Sequence, residues 1–412
     1  MKTTDVAKWS AWDWKWRLLH AKPSGDGAVG VIFCWSSMQS IYQGGTDYNK
    51  FSTADFVLKP IFTSGANPKF AEFILKVTGA AVTVNSEPIK RNSSAGNAII
   101  EAIRHFVNTE RVGTPLRTKW EAMLPHLMNC TAFLVQDTVK HFHDFGKEYR
   151  SNGPRRGLRE ILRDQNLMHS LGKLFAVDAI IGNGDRLCYP NTGNILYGNF
   201  GDIYAIDTTT VLTNFNEMVN DQTKITWVLG HEPGKPDNFA TEVVKRGGMS
   251  IPSHKQQDEY VQDAKSNGGF SDKHVPSQPG FAMREVFDPA GWWDREFRPH
   301  LEKGLKAETE KNLGNRVAPP VPPRPMEWAN AKTWFIAGVD DGVRIVDEKL
   351  SGANWMMVKM QWKKYVFKYG GDPNLDWTNF KMRRLYFKAR KAGKSEEQAL
   401  AEVKQYALKK IA

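Results

Sequence analysis

The chain has 412 residues, with 41% hydrophobic and 25% charged residues, values typical of a globular protein that buries a large core. Its net charge of +11 arises from 56 lysines and arginines against 45 aspartates and glutamates. No run of about 18 apolar residues and no signal-peptide core is present, so no integral membrane segment is expected. Three scattered cysteines (Cys34, Cys130 and Cys188) favour a reducing, cytoplasmic compartment over a disulfide framework.

The N-terminal segment predicts strands around a glycine-rich loop. The opening WSAWDWKW suggests a strand with tryptophans on one face. A G-x-G-x-x-G pattern at Gly25, Gly27 and Gly30 lies between WKWRLLHA and VGVIFCW, two strand-like runs. Glycines there would let backbone amides approach phosphate groups, and the strand after the pattern argues against a dinucleotide-binding fold. SIYQGGT, with Gly44 and Gly45, is an alternative phosphate loop.

A lysine and a glutamate follow on neighbouring predicted elements. The run ADFVLKPIF alternates apolar residues and predicts a strand that ends at Lys59, where a lysine could neutralise nucleotide phosphates. NPKFAEFILKVTGA has helical periodicity, with Pro68 near its start and Gly79 just after its end. Glu72 on this helix is the natural partner for Lys59, and Glu101 in NAIIEAIRHF is a rival partner.

The segment 175–212 carries three spaced polar residues, Asp185, Asn194 and Asp207. LGKLFAVDAII predicts a helix that ends at the loop GNGDR, which contains Asp185. NILY and IYAID are strand-like runs joined by the turn GNFGD, so they predict a β-hairpin. The paired ends of that hairpin would bring Asn194 beside Asp207, and their oxygens suit one Mg²⁺ ion. Asn191 is an alternative ligand, although the strand-like run begins at Asn194.

Protein kinases use this order of residues: an Asp that orients the acceptor hydroxyl, then an Asn and a second Asp that hold metal. Asn194 and Asp207 are 13 positions apart, close to the kinase spacing. Asp185 precedes Asn194 by 9 positions, against about 5 in protein kinases, and the insert LCYPNTG explains the difference. IIGNGDRLCYPNTGNILY, with AID downstream, resembles the actin-fragmin kinase catalytic family, which has an atypical protein-kinase fold. The Asp-Arg order is also similar to that of type II phosphatidylinositol 4-kinases.

The resemblance implies a bilobal α+β fold. A small lobe of antiparallel sheet plus the Glu72 helix would span residues 10–139, and a larger, mostly helical lobe would span residues 140–317. Gln136 and Val139 would border the adenine of ATP at the hinge between the lobes. The implied activity is transfer of the ATP γ-phosphoryl group, with Mg²⁺, to a Ser/Thr hydroxyl of a protein acceptor, including a cytoskeletal one.

Three alternatives to a protein kinase stay open at the level of sequence. The Asp-Arg order and a basic C-terminal region suit a phosphoinositide kinase. A kinase-shaped binding module would keep the fold without phosphotransfer. A kinase fold that binds ATP in the flipped orientation would transfer AMP instead of phosphate.

Two irregular segments follow the predicted catalytic part. Residues 232–280 are polar and rich in Gly, Pro, Ser and Lys, which predicts a loop-rich insertion. VAPPVPPRP predicts an extended, polyproline II linker over residues 318–326. Residues 319–324 also match an SH3-ligand pattern, but the simpler interpretation is a linker.

The remaining segment, residues 327–412, predicts a basic helical region. Residues 353–412 contain 14 lysines and arginines against five carboxylates, a net charge of +9. Ser395 and Gln398 form a capping-box pattern at the start of a last amphipathic helix. The simplest interpretation is a helical extension with a solvated basic face. Docking to an acidic protein surface or an anionic membrane is the alternative. Nucleic acid, which bases interleaved with aromatic residues would suit, is less favoured because no nucleic-acid module is visible.

Overall fold

The computed structural model describes most of the chain, with gaps. The described residues are 8–10, 12–14, 22–24, 31–34, 54, 56–61, 64–109, 112–139, 143–150, 157–183, 186–187, 192–198, 200–206, 285–371 and 375–411. Several predicted features therefore lie outside the described residues: Gly25, Gly27, Gly30, Gly44, Gly45, Asp185, Asn191, Asp207 and the insertion 232–280.

The first part of the chain forms a five-stranded sheet. Its strands are β1 (Lys22–Ser24), β2 (Val31–Cys34), β3 (Phe56–Ile61), β4 (Ser86–Lys90) and β5 (Ala132–Asp137). Their order is β1-β2-β3-β5-β4, and all neighbours are antiparallel. The glycine pattern thus lies between two paired strands. The second, β2, falls in the predicted run VGVIFCW, whereas β1 follows the run WKWRLLHA, most of which lies outside the described residues. Lys59 was expected at the end of its strand, but β3 continues to Ile61, because its pairing with β5 extends to Ala132.

Three helices accompany this sheet: α1 (Ala66–Thr78), α2 (Ser94–Thr109) and α3 (Pro115–Asn129). The predicted α1 is confirmed, and it ends at Gly79 in the left-handed conformation (φ 59°). Alternate residues of the strands pack against α2 and α3, which cover one face of the sheet. The cluster on this face includes Phe56, Leu58, Ile99, Ile103, Trp120, Phe133 and Val135.

The tryptophan-rich start is not the strand that the sequence suggested. Residues 12–14 form a helical turn. Ser10 and Asp13 cap it reciprocally: the Ser10 amide donates to the Asp13 carboxylate, and the Asp13 amide donates to Ser10 Oγ at 3.2 Å. Trp14 is fully buried against Phe56. The local cap therefore overrides the alternation of tryptophans.

The second part of the chain combines a small sheet with helices. The sheet contains β6 (His143–Asp144), β7 (Ile195–Tyr197) and β8 (Ile203–Ala205), in that order and antiparallel. The helices that precede β7 are α4 (Phe145–Glu148), α5 (Leu158–Arg163) and α6 (Gln165–Ile181). Later helices are α7 (Pro289–Trp292), which continues through a π-helical turn (Trp293–Phe297) into α8 (Arg298–Gly314), and then α9 (Pro325–Lys349), α10 (Gly352–Tyr369), α11 (Leu375–Lys391) and α12 (Glu396–Ile411). The α+β class is confirmed.

Helices α6 and α9 lie in backbone contact. A Cβ atom placed on Gly172 of α6 would lie 2.0 Å from the Phe335 carbonyl oxygen, and one on Gly338 of α9 would lie 2.0 Å from the His169 carbonyl oxygen. Any side chain larger than hydrogen at these positions would force the helices apart. The helix that leads into the predicted catalytic loop is therefore braced along its length by α9.

The C-terminal helices share a core with α1 and α6. The Phe70 ring of α1 contacts Trp362 of α10 at 5.1 Å and Phe380 of α11 at 5.0 Å between ring centroids. The predicted cap of the last helix is confirmed, since Ser395 Oγ accepts the Gln398 amide and the Gln398 side chain accepts the Ser395 amide. Residues 317–324 contain no helix or strand, and α9 starts directly after them. None of the helices described is long and apolar enough to cross a bilayer.

Candidate active site

The candidate catalytic loop begins where α6 ends. An Asp164 side chain caps the start of α6 by accepting the Leu167 amide at 2.9 Å. At the other end Gly182 takes the left-handed conformation (φ 73°), and the Asn183 amide donates to the Asp178 carbonyl at 2.9 Å. Asn183 is buried. The predicted helix-to-loop boundary at GNGDR is confirmed, and Asp185 itself lies outside the described residues.

Arg186, the residue after Asp185, is fully buried and anchors this loop. Its guanidinium donates two hydrogen bonds, at 2.8 and 2.9 Å, to the carboxylate of Asp178 on α6. A third, from Nη1, reaches the carbonyl oxygen of Ile206 at 3.0 Å. Burial raises the pKa of Asp178, while the charge and hydrogen bonds of Arg186 oppose that shift. Arg186, which follows Asp185 in the chain, thus connects α6 to Ile206, the residue that precedes Asp207.

The predicted hairpin is confirmed, with β7 and β8 as its strands. Ile195 pairs with Ala205, and Tyr197 pairs with Ile203. Asn194 immediately precedes β7, at the end of a 3₁₀ turn (Thr192–Asn194), and is half-buried. Extending the register by one position sets Asn194 opposite Ile206, because paired positions in an antiparallel ladder advance in opposite directions. Asn194 therefore lies across the ladder from the residue that precedes Asp207.

Lys59 and Gln136 lie on one face of the five-stranded sheet. Lys59 pairs with Leu134, and Val57 pairs with Gln136, so these four side chains alternate with the residues that face α2 and α3. Ser86 of β4 also pairs with Gln136 and shares this face. The face is therefore the one that α2 and α3 leave uncovered.

Glu72 reaches the same face from α1. Its carboxylate accepts from Ser86 Oγ at 2.6 Å and from Lys69 Nζ at 2.8 Å, and Lys69 also donates to the Ser86 carbonyl. Ser86 is two strand spacings, about 10 Å, from β3. Both contacts use Oε2 of the Glu72 carboxylate, so Lys69 and Ser86 hold this side chain beside β4. The rival Glu101 is exposed on α2, on the opposite side of the sheet.

The predicted adenine-binding segment follows β5 and is held by local contacts. The Asp137 carboxylate accepts from Asn85, and its amide donates to the Asn85 carbonyl at 2.9 Å. Burial raises the pKa of Asp137. The Thr138 hydroxyl donates to the Ala54 carbonyl, and Val139 is partly exposed. These contacts fix the backbone between Gln136 and Val139.

A hydrogen bond connects the sheet region to the hairpin. The Val82 amide, in the segment between α1 and β4, donates to the Ile203 carbonyl of β8 at 2.7 Å, and Val82 forms a parallel bridge with Tyr204. The strand that leads to Asp207 is therefore directly attached to the segment that follows the Glu72 helix.

Two candidate functional residues, Asp178 and Arg383, were not predicted from the sequence. Asp178 lies within the apolar run LFAVDAII, and a lone carboxylate there signals a buried partner. Arg383 of α11 is buried beside the loop: a Cβ atom on Gly182 would lie 2.0 Å from its Nη1 atom. Nothing in the local sequence of α11 distinguishes Arg383 from its neighbour Arg384, so only the tertiary structure identifies it.

No family model and no curated protein matches this chain. Among the residues that the structure describes, which leave out Asp185 and Asp207, no group of three or more His, Cys, Asp or Glu side chains could hold a metal ion.

Proposed function

We propose that the protein is an atypical kinase, which transfers the γ-phosphoryl group of ATP to a hydroxyl group. The observation that carries the proposal is the set of hydrogen bonds made by Arg186. They tie the neighbour of Asp185 to Ile206, the neighbour of Asp207, opposite Asn194. Two carboxylates and one amide, separated in sequence, would then converge on one point.

The donor set fits Mg²⁺, which prefers oxygen ligands and keeps part of its water shell. Asn194 and Asp207 would supply an amide and a carboxylate oxygen from the paired ends of the hairpin. When bound, the ion would neutralise charge on the phosphates of ATP. The small antiparallel sheet, with one helix between its third and fourth strands, supports a kinase-like small lobe, and the helical second part supports a larger lobe.

The chain's own residues would position the reactants. Lys59, on the face of the sheet opposite α2 and α3, would neutralise the phosphates, and the loop from Gly25 to Gly30 would cradle them. Asp185 would orient the acceptor hydroxyl and take its proton. The hydroxyl oxygen forms a bond to the γ-phosphorus as the bond to the bridging oxygen breaks, and ADP leaves. Glu72 would complete the site by pairing with Lys59 on nucleotide binding.

The acceptor that we propose is a Ser or Thr side chain of a protein, and the compartment is the cytoplasm. The segment IIGNGDRLCYPNTGNILY resembles a protein kinase family with such acceptors. An SH3-type partner at residues 319–324 is a lesser proposal, supported by the exposure of most of that segment.

Asp207→Ala and Asp185→Asn should lower phosphotransfer by at least a hundredfold, because positioning and charge stabilisation supply most of the rate. The assay is incubation of the full chain with ATP, Mg²⁺ and cell lysate, followed by mass spectrometry of the modified proteins. An added mass of about 80 daltons marks phosphate, and about 329 daltons marks AMP, from the chemistry of the two groups.

Asp202→Ala is the matched control, since Asp202 is exposed in the turn of the same hairpin. It should keep full activity and the same thermal transition. Full activity in Asp207→Ala, with no change in Mg²⁺-dependent nucleotide binding by calorimetry, would contradict the proposal.

A further inference from the structure

Helix α10 exposes an apolar stripe to solvent. Met356, Met357, Met360 and Phe367 are 58%, 60%, 67% and 91% exposed. No other helix in the described part of the chain carries more than one exposed large apolar residue. Clustered exposed apolar side chains mark interaction surfaces, whereas single ones are ordinary.

The stripe follows the helix geometry. Residues 356, 360 and 367 lie within about 40° of one another around the axis, since each residue turns by about 100°. They extend over about 16 Å at 1.5 Å per residue. The opposite side of α10 is buried: Val358, Trp362 and Tyr369 pack into the core with α1 and α11. Only one side of the helix is available to a partner.

Lysines border this stripe, and no carboxylate lies in α10. The helix contains Lys359, Lys363, Lys364 and Lys368 and no Asp or Glu. Lys368 is paired with Glu87 of β4 at 2.9 Å and with the Tyr369 hydroxyl at 2.8 Å. Lys363 and Lys364 are exposed on either side of the apolar residues. The face is therefore apolar along its centre and positive at its edges.

We propose that this face of α10, defined by Met356, Met360, Phe367, Lys363 and Lys364, docks on a membrane surface that carries anionic lipids. An amphipathic helix with apolar residues flanked by lysines binds at the boundary between headgroups and acyl chains. A helix that enters the groove of a protein partner is enclosed on more than one side, which the buried side of α10 prevents. An anionic membrane surface can accept apolar side chains from one side of a helix, including Phe367, which protrudes fully from α10.

The test is vesicle flotation of the full chain. Vesicles of phosphatidylcholine mixed with phosphatidylserine should bind the protein, and phosphatidylcholine alone should bind it at least tenfold less. Phe367→Ser should weaken binding about tenfold, because an apolar ring no longer leaves water. Lys363→Glu with Lys364→Glu should weaken it at least tenfold, and binding should fall as salt rises.

Matched controls distinguish binding by this face of α10 from nonspecific binding to vesicles. Phe200→Ser removes a phenylalanine that is 84% exposed in the hairpin turn, and Lys303→Glu with Lys306→Glu reverses two exposed charges on α8. Both should bind like the unaltered protein. Equal loss in the controls, no binding to phosphatidylserine vesicles, or binding to soluble polyglutamate that Phe367→Ser leaves unchanged would each overturn the proposal. These outcomes do not depend on phosphotransfer activity.

Discussion

Two clusters of arginine and carboxylate hold the helical part together in opposite environments. Asp178 and Arg186 are both 0% exposed and form a bidentate pair under the candidate loop. Glu327, at the first turn of α9, contacts Arg159 at 2.8 Å and Arg163 at 2.6 Å, and these arginines are 21% and 44% exposed. The first pair is fully buried, whereas the arginines of the second cluster are partly exposed to solvent.

The two environments shift the pKa values of Asp178 and Glu327 in opposite directions. Burial raises the pKa of Asp178 against the effect of Arg186. Burial also acts to raise the pKa of Glu327, but hydrogen bonds from the Arg324 amide, Arg159 and Arg163 outweigh it, so its pKa lies below the ordinary value. A buried ion pair adds little net stability, since desolvation offsets the attraction. We therefore infer that the buried pair of Asp178 and Arg186 positions the candidate loop. The partly exposed cluster around Glu327 contributes to the stability of the fold.

Asp178→Ala should have the largest effect, a loss of about 3–5 kcal/mol in the free energy of unfolding, because Arg186 would remain buried without its carboxylate. Urea denaturation followed by circular dichroism measures this loss. A change below about 1 kcal/mol, the size of a surface ion pair, would contradict the assignment of a dry pair.

The double change Asp178→Leu with Arg186→Met sharpens the comparison. Replacing a buried ion pair by apolar residues of similar size is often neutral or stabilising, so the unfolding free energy should recover most of the loss. The hydrogen bond to the Ile206 carbonyl cannot be made by methionine. Phosphotransfer should therefore stay low while stability returns; recovery of both would show that the pair does not position the loop.

Gly182→Ala tests the other end of the same loop, with Gly79→Ala as its matched control. Both glycines end a helix with positive φ, 73° and 59°. A Cβ atom on Gly79 would meet nothing within 4 Å, whereas one on Gly182 would overlap the Arg383 guanidinium. We expect a loss of about 1 kcal/mol from backbone strain in Gly79→Ala and about 2–3 kcal/mol in Gly182→Ala. Equal losses in thermal denaturation would show that Arg383 moves aside freely.

Glu327→Gln should cost about 2 kcal/mol at neutral pH, since charge-assisted hydrogen bonds to two arginines are weakened. The pKa of Glu327 is depressed in the folded state, so its stabilisation is present above the ordinary value of 4.5 and is lost as pH falls through the folded pKa. The difference between the unaltered protein and Glu327→Gln should therefore shrink as the pH falls below 4.5 and through the folded pKa. A difference that is independent of pH would exclude ionic stabilisation by this cluster.

Local signals were sufficient to predict the elements that frame the candidate site. Alternation and turn residues predicted the β7–β8 hairpin, and a terminal glycine predicted the ends of α1 and α6. These features depend on neighbours in sequence, so a single chain reveals them. The strand at the tryptophan-rich start was wrong because a capping pair, Ser10 and Asp13, decides the local conformation there.

Long-range contacts could not be predicted in the same way. The pairing of Asp178 with Arg186 requires the loop after α6 to fold back on the helix, and the approach of Arg383 to Gly182 spans about two hundred residues. The contact between α6 and α9 depends on Gly172 and Gly338, and the close approach that requires glycine there is visible only when the two helices are seen packed together. The contact of Glu72 with Ser86 of β4 was likewise not predicted, whereas its pair with Lys69 is a local i,i+3 contact that helical spacing could have indicated.

The hydrogen bond between Val82 and Ile203 has a mechanical consequence. It is a short tether, 2.7 Å between the donor and acceptor atoms, across the boundary between the sheet and the helices. A rotation of one part against the other can keep this tether only if its axis passes close to residues 79–85. A rotation of this kind would displace β1 and β2 most, because they lie farthest from the pivot in the strand order.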